Sequence, residues 1–372
     1  MGPLAGVKVL EFAGIGPGPI CCMLLADLGA TVLAIDRPEP SGLGIARPPQ
    51  FDLTRRGRKK ILLDLKSPAD VPRSLDLVAR ADALVEGFRP GVMERLGLGP
   101  EVCLARNPRL IYGRMTGWGQ DGPLAKAAGH DLNYIAVAGA LHSFGREGQL
   151  PSPPLNMAGD FGGALYLALG IVSGILEARS SGKGQVVDSA MVETAAHMMT
   201  AFHGLRAAGL WNLERGSNLI DSGAFFYDCF ECQDGKLISV APIEPKFFAQ
   251  LLRILDIDPE TFPPQSDRNS AQARSLLAEK FCSRTRDDWM RAFEGSDACV
   301  FPVLSLEEAP HHPHLRARNT FVDIAGVVQP APMPRFSRTA PDLPGPPDSG
   351  NTSIDDALAG WFSVDEIAAW KS

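Results

Sequence analysis

A histidine and a carboxylate, each at the mouth of a helix, are the residues of this chain best suited to chemistry. Gly129-His130-Asp131 precedes a short helical segment, and Asp160 opens a long apolar one further along. Histidine titrates near neutral pH, so it can accept a proton and return it. A helix N-terminus presents unpaired N–H groups and a positive dipole end, which favour a developing negative charge. The pattern suits moving a proton on and off carbon. In the plainer reading Asp131 and Asp160 only cap their helices and His130 packs in a loop. The surrounding sequence must decide between the two.

These residues need elements to hold them. Residues 7–12 read as a strand, followed by Gly14-Ile15-Gly16-Pro17-Gly18-Pro19 and a helix over 20–28 that Gly29 ends. Further strands read at 31–35, 61–65, 83–86 and 110–114, and long helices at 160–179 and 189–208. Strands alternating with helices imply right-handed crossovers and an α/β fold with a mostly parallel sheet. After Asn218 the texture changes. Residues 224–232, the turn Gln233-Asp234-Gly235 and residues 237–241 read as an antiparallel hairpin, with helices expected at 245–255, 269–281 and 286–293. The expected division is a large domain over 1–210 completed by 330–372, and a small α+β domain over 218–325. Residues 326–350 form a connector that is Pro-rich from Gln329 to Pro347. Ser363 and Glu366 are spaced as a capping box in a closing helix pair.

A length of 372 residues also favours two domains over one core. With 45% hydrophobic and 21% charged residues the composition is that of a soluble globular protein. A net charge of −7 argues against nucleic acid or anionic membrane as a partner. The N-terminus reads as a strand rather than a signal peptide, and the uncharged stretch 161–176 is short for a bilayer. The ending Ala369-Trp370-Lys371-Ser372 is not a peroxisomal signal, so a cytoplasmic location is expected. Seven irregularly spaced cysteines argue against a disulfide framework. Cys229 and Cys232 fall in an expected strand, where residues three apart face opposite ways, so they do not read as a metal or redox pair.

Other motifs are weaker. Gly14, Gly16 and Gly18 with Asp36 imitate a dinucleotide fingerprint, but Pro19 stands where the last glycine belongs, so no nicotinamide or flavin is expected. Arg55-Arg56-Gly57-Arg58-Lys59-Lys60 reads either as a solvated patch or as a grip for a multiply phosphorylated ligand. Arg37 and Arg89 at other strand ends favour the second reading. His311-His312-Pro313-His314 reads as a turn, not a metal tract.

Together the motifs resemble the family III CoA-transferase superfamily and, within it, the α-methylacyl-CoA racemases. The resemblance is carried by residues 11–19, Ile35-Asp36-Arg37-Pro38, residues 86–92, Met115-Thr116-Gly117-Trp118-Gly119-Gln120 and residues 129–134. It continues in Gly159-Asp160-Phe161-Gly162-Gly163, Gly182-Lys183-Gly184-Gln185 and Ile243-Glu244-Pro245. It implies a Rossmann-like large domain, an acyl-CoA thioester substrate, and two chains interlocked as a homodimer, with no cofactor beyond the CoA of the substrate. Carried over by position, His130 and Asp160 are the proton-transfer pair, and Glu244 orients the histidine from the partner chain. The Asp131 backbone N–H is the donor to the thioester oxygen. CoA contacts map to Arg37, to Leu62, Leu63, Asp64 and Leu65, to Gly87, Phe88 and Arg89, to Arg95, and to the segment Gly129, Leu132, Asn133 and Tyr134.

The alternative within the superfamily is a CoA-transferase, in which the residue matching Asp160 is a nucleophile that forms an acyl anhydride. Such enzymes generally lack a histidine where His130 stands, and His130 with Glu244 favours the racemase. A non-catalytic CoA-binding subunit is a third reading, opposed by all three intact residues. Phe225, Pro242 and Phe301 depart from the racemase pattern and are expected on or beside the dimer-facing site, where they bear on the acyl group accepted.

Overall fold

The order of strand pairing decides which loops meet. In a computed structural model, which describes residues 2–39, 42–350 and 352–371, six strands form one sheet. They are β1 (Lys8–Phe12), β2 (Thr31–Asp36), β3 (Lys59–Leu62), β4 (Ala83–Glu86), β5 (Ile111–Thr116) and β6 (Gln185–Ala190). Their order is β3-β2-β1-β4-β5-β6, and every pairing is parallel. The order reverses between β1 and β4. In a doubly wound sheet that reversal opens a crevice at the carboxyl ends of the strands, where ligands bind.

The helices of this part are α1 (Pro17–Asp27), α2 (Asp70–Val78), α3 (Val92–Arg95), α4 (Pro100–Arg106), α5 (Asp131–Val137), α6 (Gly162–Ser181) and α7 (Met191–Met198). Alternate strand residues point to opposite faces. Val9, Val85 and Ile111 therefore pack with Cys22, Leu25, Leu167 and Ile171 of α1 and α6. Leu10, Leu84 and Tyr112 pack on the other face with Leu77, Met93 and Cys103. That face is completed by Leu358, Trp361 and Ile367 from the C-terminal segment. The expected capping box there is formed, with Ser363 N–H donating to Glu366 at 2.8 Å.

Two strand–helix boundaries differ from expectation. The helix after β1 starts at Pro17, not 20, because a proline at the first helical position loses no hydrogen bond. Residues 185–190 are a sixth strand rather than a helix start, and a break at Met199 divides the expected helix 189–208. Among the described residues one helical run, Met157–Ser181, is long and apolar enough to cross a membrane by length and composition. It is thus longer than the stretch 161–176. Its Ala164, Leu167, Ile171 and Ile175 are packed in the core beside β5.

The chain divides into two units. One comprises residues up to 138, 154–198 and from 319 onward; the other comprises 139–153 and 199–318. The expected boundary at 210 is therefore corrected. Residues 139–153 go with the second unit because Arg146 pairs with Asp228 at 2.6 Å and Arg215 donates to the His142 carbonyl at 2.7 Å. The expected connector 326–350 belongs to the first unit. Arg56 there donates to Gln329 Oε1 at 2.9 Å and to the Pro330 carbonyl at 2.7 Å.

The second unit has an antiparallel sheet of β7 (Asp228–Glu231), β8 (Leu237–Val240) and β9 (Val300–Pro302). Its helices include α8 (Thr200–Ala207), α9 (Pro245–Ile254), α10 (Ala271–Phe281) and α11 (Arg286–Phe293). Phe225 is fully buried, with ring centroids 5.1 Å from Phe226 and 5.9 Å from Phe248 and Phe262. It is a core residue of this unit, so its side chain does not itself face a binding surface. Pro242 is buried too, whereas Phe301 is 63% exposed. Cys229 is exposed and Cys232 buried, both as free thiols.

Candidate active site

The loops after β1, β4 and β5 converge on a cleft of about 600 Å³ at the reversal of strand order. Its lining includes Gly16 and Pro17 after β1, Gly87, Phe88 and Arg89 after β4, and Met115 to Trp118 at the end of β5. Gly129, His130, Asn133, Tyr134 and Asp160 complete it. His130 and Asp160 thus share a neighbourhood at the switch point with the expected Gly87, Phe88, Arg89, Gly129, Asn133 and Tyr134.

His130 caps α5 from extended backbone, with φ −131° and ψ 173°. Its own N–H donates to Asn133 Oδ1 at 3.0 Å, and its carbonyl accepts the Asn133 N–H at 2.8 Å. The reciprocal pair fixes the turn that presents the imidazole. Beneath it, Tyr134 Oη donates to the Gly129 carbonyl, and the Tyr134 ring meets Trp118 edge-on at 4.8 Å. Neighbouring backbone leaves no slack: a Cβ on Gly117 would stand 2.1 Å from the Tyr134 ring.

Asp160 does not sit in an ordinary first turn. Residues Met157–Phe161 form a π-helical turn leading into α6, a widened geometry frequent at functional sites. The Asp160 N–H donates to Asp131 Oδ2 at 2.7 Å, and Asp160 Oδ2 accepts from Asn156 Nδ2 at 3.1 Å. Burial raises the Asp160 carboxyl above its usual range, and the charge of Asp131 adds to the rise, while the Asn156 amide and His130 oppose it. A carboxyl held this way can give or take a proton closer to neutral pH. Tyr134 is raised by its own burial and by the Asp160 charge. Asp131 is 8% exposed and does not line the cleft; it supports Asp160 from below.

The remaining expected residues are spread further. Arg37 is exposed just past β2, and Leu62 and Asp64 are exposed at and beyond the end of β3. Leu63 is buried in the core, and Leu65 packs against it. All five lie on the carboxyl edge of the sheet, but none lines the cleft. Arg95 is exposed on α3, and Leu132 faces outward from α5 at 42% exposure. Glu244, in the second unit, is exposed and caps α9 ahead of Pro245.

Two arginines of the basic run are internal, which overturns the phosphate reading for Arg56 and Arg58. Arg56 pairs with Asp27 at 2.5 Å, and Arg58 with Glu11 at 2.6 Å, all four side chains being at most 5% exposed. Arg55 donates to the Gly14 carbonyl at 3.1 Å and pairs with Asp36 and Asp52. Arg58 also donates to the Pro19 carbonyl at 3.1 Å. Both Arg55 and Arg58 therefore staple the loop that carries Gly16. Arg114 plays a similar part behind the β4 loop, pairing with Glu86 at 2.8 Å, while Glu86 accepts the Phe88 N–H at 2.8 Å. Sequence spacing gives no sign of these long-range pairs.

A family model described as CoA-transferase family III matches residues 4–352. The chain is 42% identical to the α-methylacyl-CoA racemase of Mus musculus over 98% of its own length and 95% of that protein. It is 40% identical to the Homo sapiens protein of the same name, over 92% of the chain and 88% of the relative. A crystal structure of a CaiB/BaiF family protein from Brucella suis superposes with a TM-score of 0.84 at 26% identity, covering 98% of this chain and 99% of that one.

Proposed function

The chain belongs to CoA-transferase family III, and from that premise we propose that it interconverts the R and S epimers of 2-methylacyl-CoA thioesters. The observation that carries the reading is the meeting of His130 and Asp160 on one cleft at the switch point, with Asp160 raised by burial. The similarity to two proteins named α-methylacyl-CoA racemase supports it.

A proton on the carbon beside a thioester carbonyl is only weakly acidic, so its removal requires an enolate to be stabilised. One base takes the C2 proton, and the C–H electrons move into the carbonyl to give the enolate oxygen. Among the described residues the Asp131 N–H at the start of α5 has no acceptor, which leaves it free for that oxygen. Such a donor is worth roughly 3–4 kcal/mol. The second group returns a proton to C2 from the opposite face, and the electrons fall back to restore the thioester. His130 and Asp160 exchange roles between the two directions. The charge develops on an oxygen met by an N–H donor, so the reading uses no metal, flavin or nicotinamide; CoA enters with the substrate. Arg89 at the cleft, Arg37 past the end of β2 and the exposed Arg95 of α3 are assigned to the CoA moiety, whose binding energy positions the acyl group. An exposed Glu244 is assigned to a partner chain's His130 in a homodimer, and the protein to the cytoplasm.

The test is a single-epimer 2-methylacyl-CoA in deuterated water. Deuterium is expected at C2, with convergence on both epimers. Transfer of CoA to an added carboxylic acid without epimerisation would establish the transferase chemistry instead, with Asp160 as nucleophile.

A further inference from the structure

A third acid lies beneath the pair assigned to proton transfer. Asp131 is 8% exposed and accepts the Asp160 N–H on Oδ2 at 2.7 Å. Its other oxygen, Oδ1, is buried, and among the described residues no donor reaches it. The fit to the neighbouring turn is close: a Cβ on Gly159 would stand 2.4 Å from Asp131 Oδ2 and 2.8 Å from its Cγ. A carboxylate used to cap a helix turns back on the N–H groups of its own first turn. Asp131 reaches instead to a different element, while His130 and Asn133 close the start of α5 between themselves.

We propose that the Asp131 side chain is a positioning residue for the proton transfer, tethering the π-turn through the Asp160 amide and holding a negative charge beneath the Asp160 carboxyl. The inference rests on the reading of Asp160 as an acid/base. A buried carboxylate with one oxygen unpaired is costly on its own. Burial also makes its effect on a neighbour strong, because little water screens it. The groups acting on Asp160 are Asp131, Asn156 and His130. The other elements packed on the turn are α1, α6 and α7. Their ionisable side chains are Cys21, Cys22 and Asp27, then Tyr166, Glu177 and Arg179, then Glu193 and His197. None of these is among the groups acting on Asp160, and Tyr166 and His197 are bonded to each other.

Asp131→Asn keeps an acceptor for the Asp160 amide and removes the charge; Asp131→Ala removes both. The Asp160 carboxyl is followed by ¹³C NMR, assigned by its loss in Asp160→Asn, alongside the pH profile of C2 deuterium exchange. In Asp131→Asn the Asp160 titration and the acid limb of kcat/KM are expected to move down by about one unit. In Asp131→Ala kcat should fall at least about tenfold with KM little changed. An unmoved Asp160 titration in folded Asp131→Asn, or an undiminished kcat in Asp131→Ala, overturns the proposal. If the alanine variant does not fold, the Asn titration alone decides. A wild type that exchanges no C2 proton would refute the functional reading instead, and the titration would still report on Asp131.

Discussion

Gly16 lies directly against Asp160: a Cβ built on the glycine would stand 3.3 Å from Asp160 Oδ2. Gly16 has φ 70° and ψ −127°, a conformation that side chains rarely adopt. The β1–α1 loop therefore approaches the carboxyl backbone-first. Gly16→Ala should destabilise the fold by about 1–3 kcal/mol through backbone strain and lower exchange activity by displacing Asp160. Gly6 is the control, with φ 85° and no atom within 4 Å of the point where a Cβ would stand. Gly6→Ala should lose stability in urea unfolding yet keep its activity. Equal activity losses in the two variants would show that strain, not the contact with Asp160, is responsible.

The raised Asp160 carboxyl has a consequence for stability. A carboxyl whose folded pKa lies above its unfolded value stabilises the fold below the ordinary carboxylate range. That contribution is lost as pH rises through the folded value. Asp160→Asn should therefore be inactive in racemisation but unfold at a higher temperature than wild type near pH 7. The gain should disappear toward pH 3. In the same reading His130→Ala abolishes racemisation and leaves some single-face exchange through Asp160, while Asp160→Ala shows the converse stereochemistry. A covalent acyl adduct trapped on Asp160 by hydroxylamine would contradict the acid/base role.

The Arg58–Glu11 pair tests how the site loop is held. Its side chains are 3% and 1% exposed, and Glu11 Oε1 has no further partner among the described residues. Removing one member leaves the other charge buried, a loss of about 3–5 kcal/mol. Arg58→Met should lose stability on that scale and activity with it, because Arg58 also holds the Pro19 carbonyl. Arg58→Met combined with Glu11→Gln should recover much of the stability but not all of the activity. Chemical denaturation and C2 exchange, measured on wild type and both variants, separate the two effects.

How much of the fold and site is legible in the sequence depends on whether the governing interaction is local. Residues 83–86 form a strand with every residue buried, and the apolar run Ala83-Leu84-Val85 ahead of Glu86 signals it. β6 escapes because it is a mostly exposed edge strand whose Ser189 and Ala190 read equally as a helix start. The helix-mouth pattern at His130 and Asp160 points to the cleft they share, since caps and dipoles are local. The π-turn around Asp160 has no sequence rule, and the Arg58–Glu11 and Arg114–Glu86 pairs join residues far apart in the chain. Similarity to the family supplies Arg37 and the residues 62–65; they lie at the carboxyl ends of β2 and β3, outside the cleft. Phe225 reads as a site substitution because the aromatic cluster that buries it is built from dispersed residues.

The last prediction concerns assembly. Glu244 is exposed at the cap of α9 in the second unit, whereas His130 and Asp160 belong to the first. If a partner chain's Glu244 orients each His130, a carboxylate there fixes the imidazole tautomer and raises its basicity. His130→Ala and Glu244→Ala chains should then be inactive separately, and activity should return when they are unfolded and refolded together. Each heterodimer would hold one site with both residues intact and one with neither, so about half of the wild-type activity per heterodimer is the ceiling, since two sites operate independently. Proven heterodimers without activity, or a fully active monomer, would show that Glu244 acts within its own chain or has no part in the reaction.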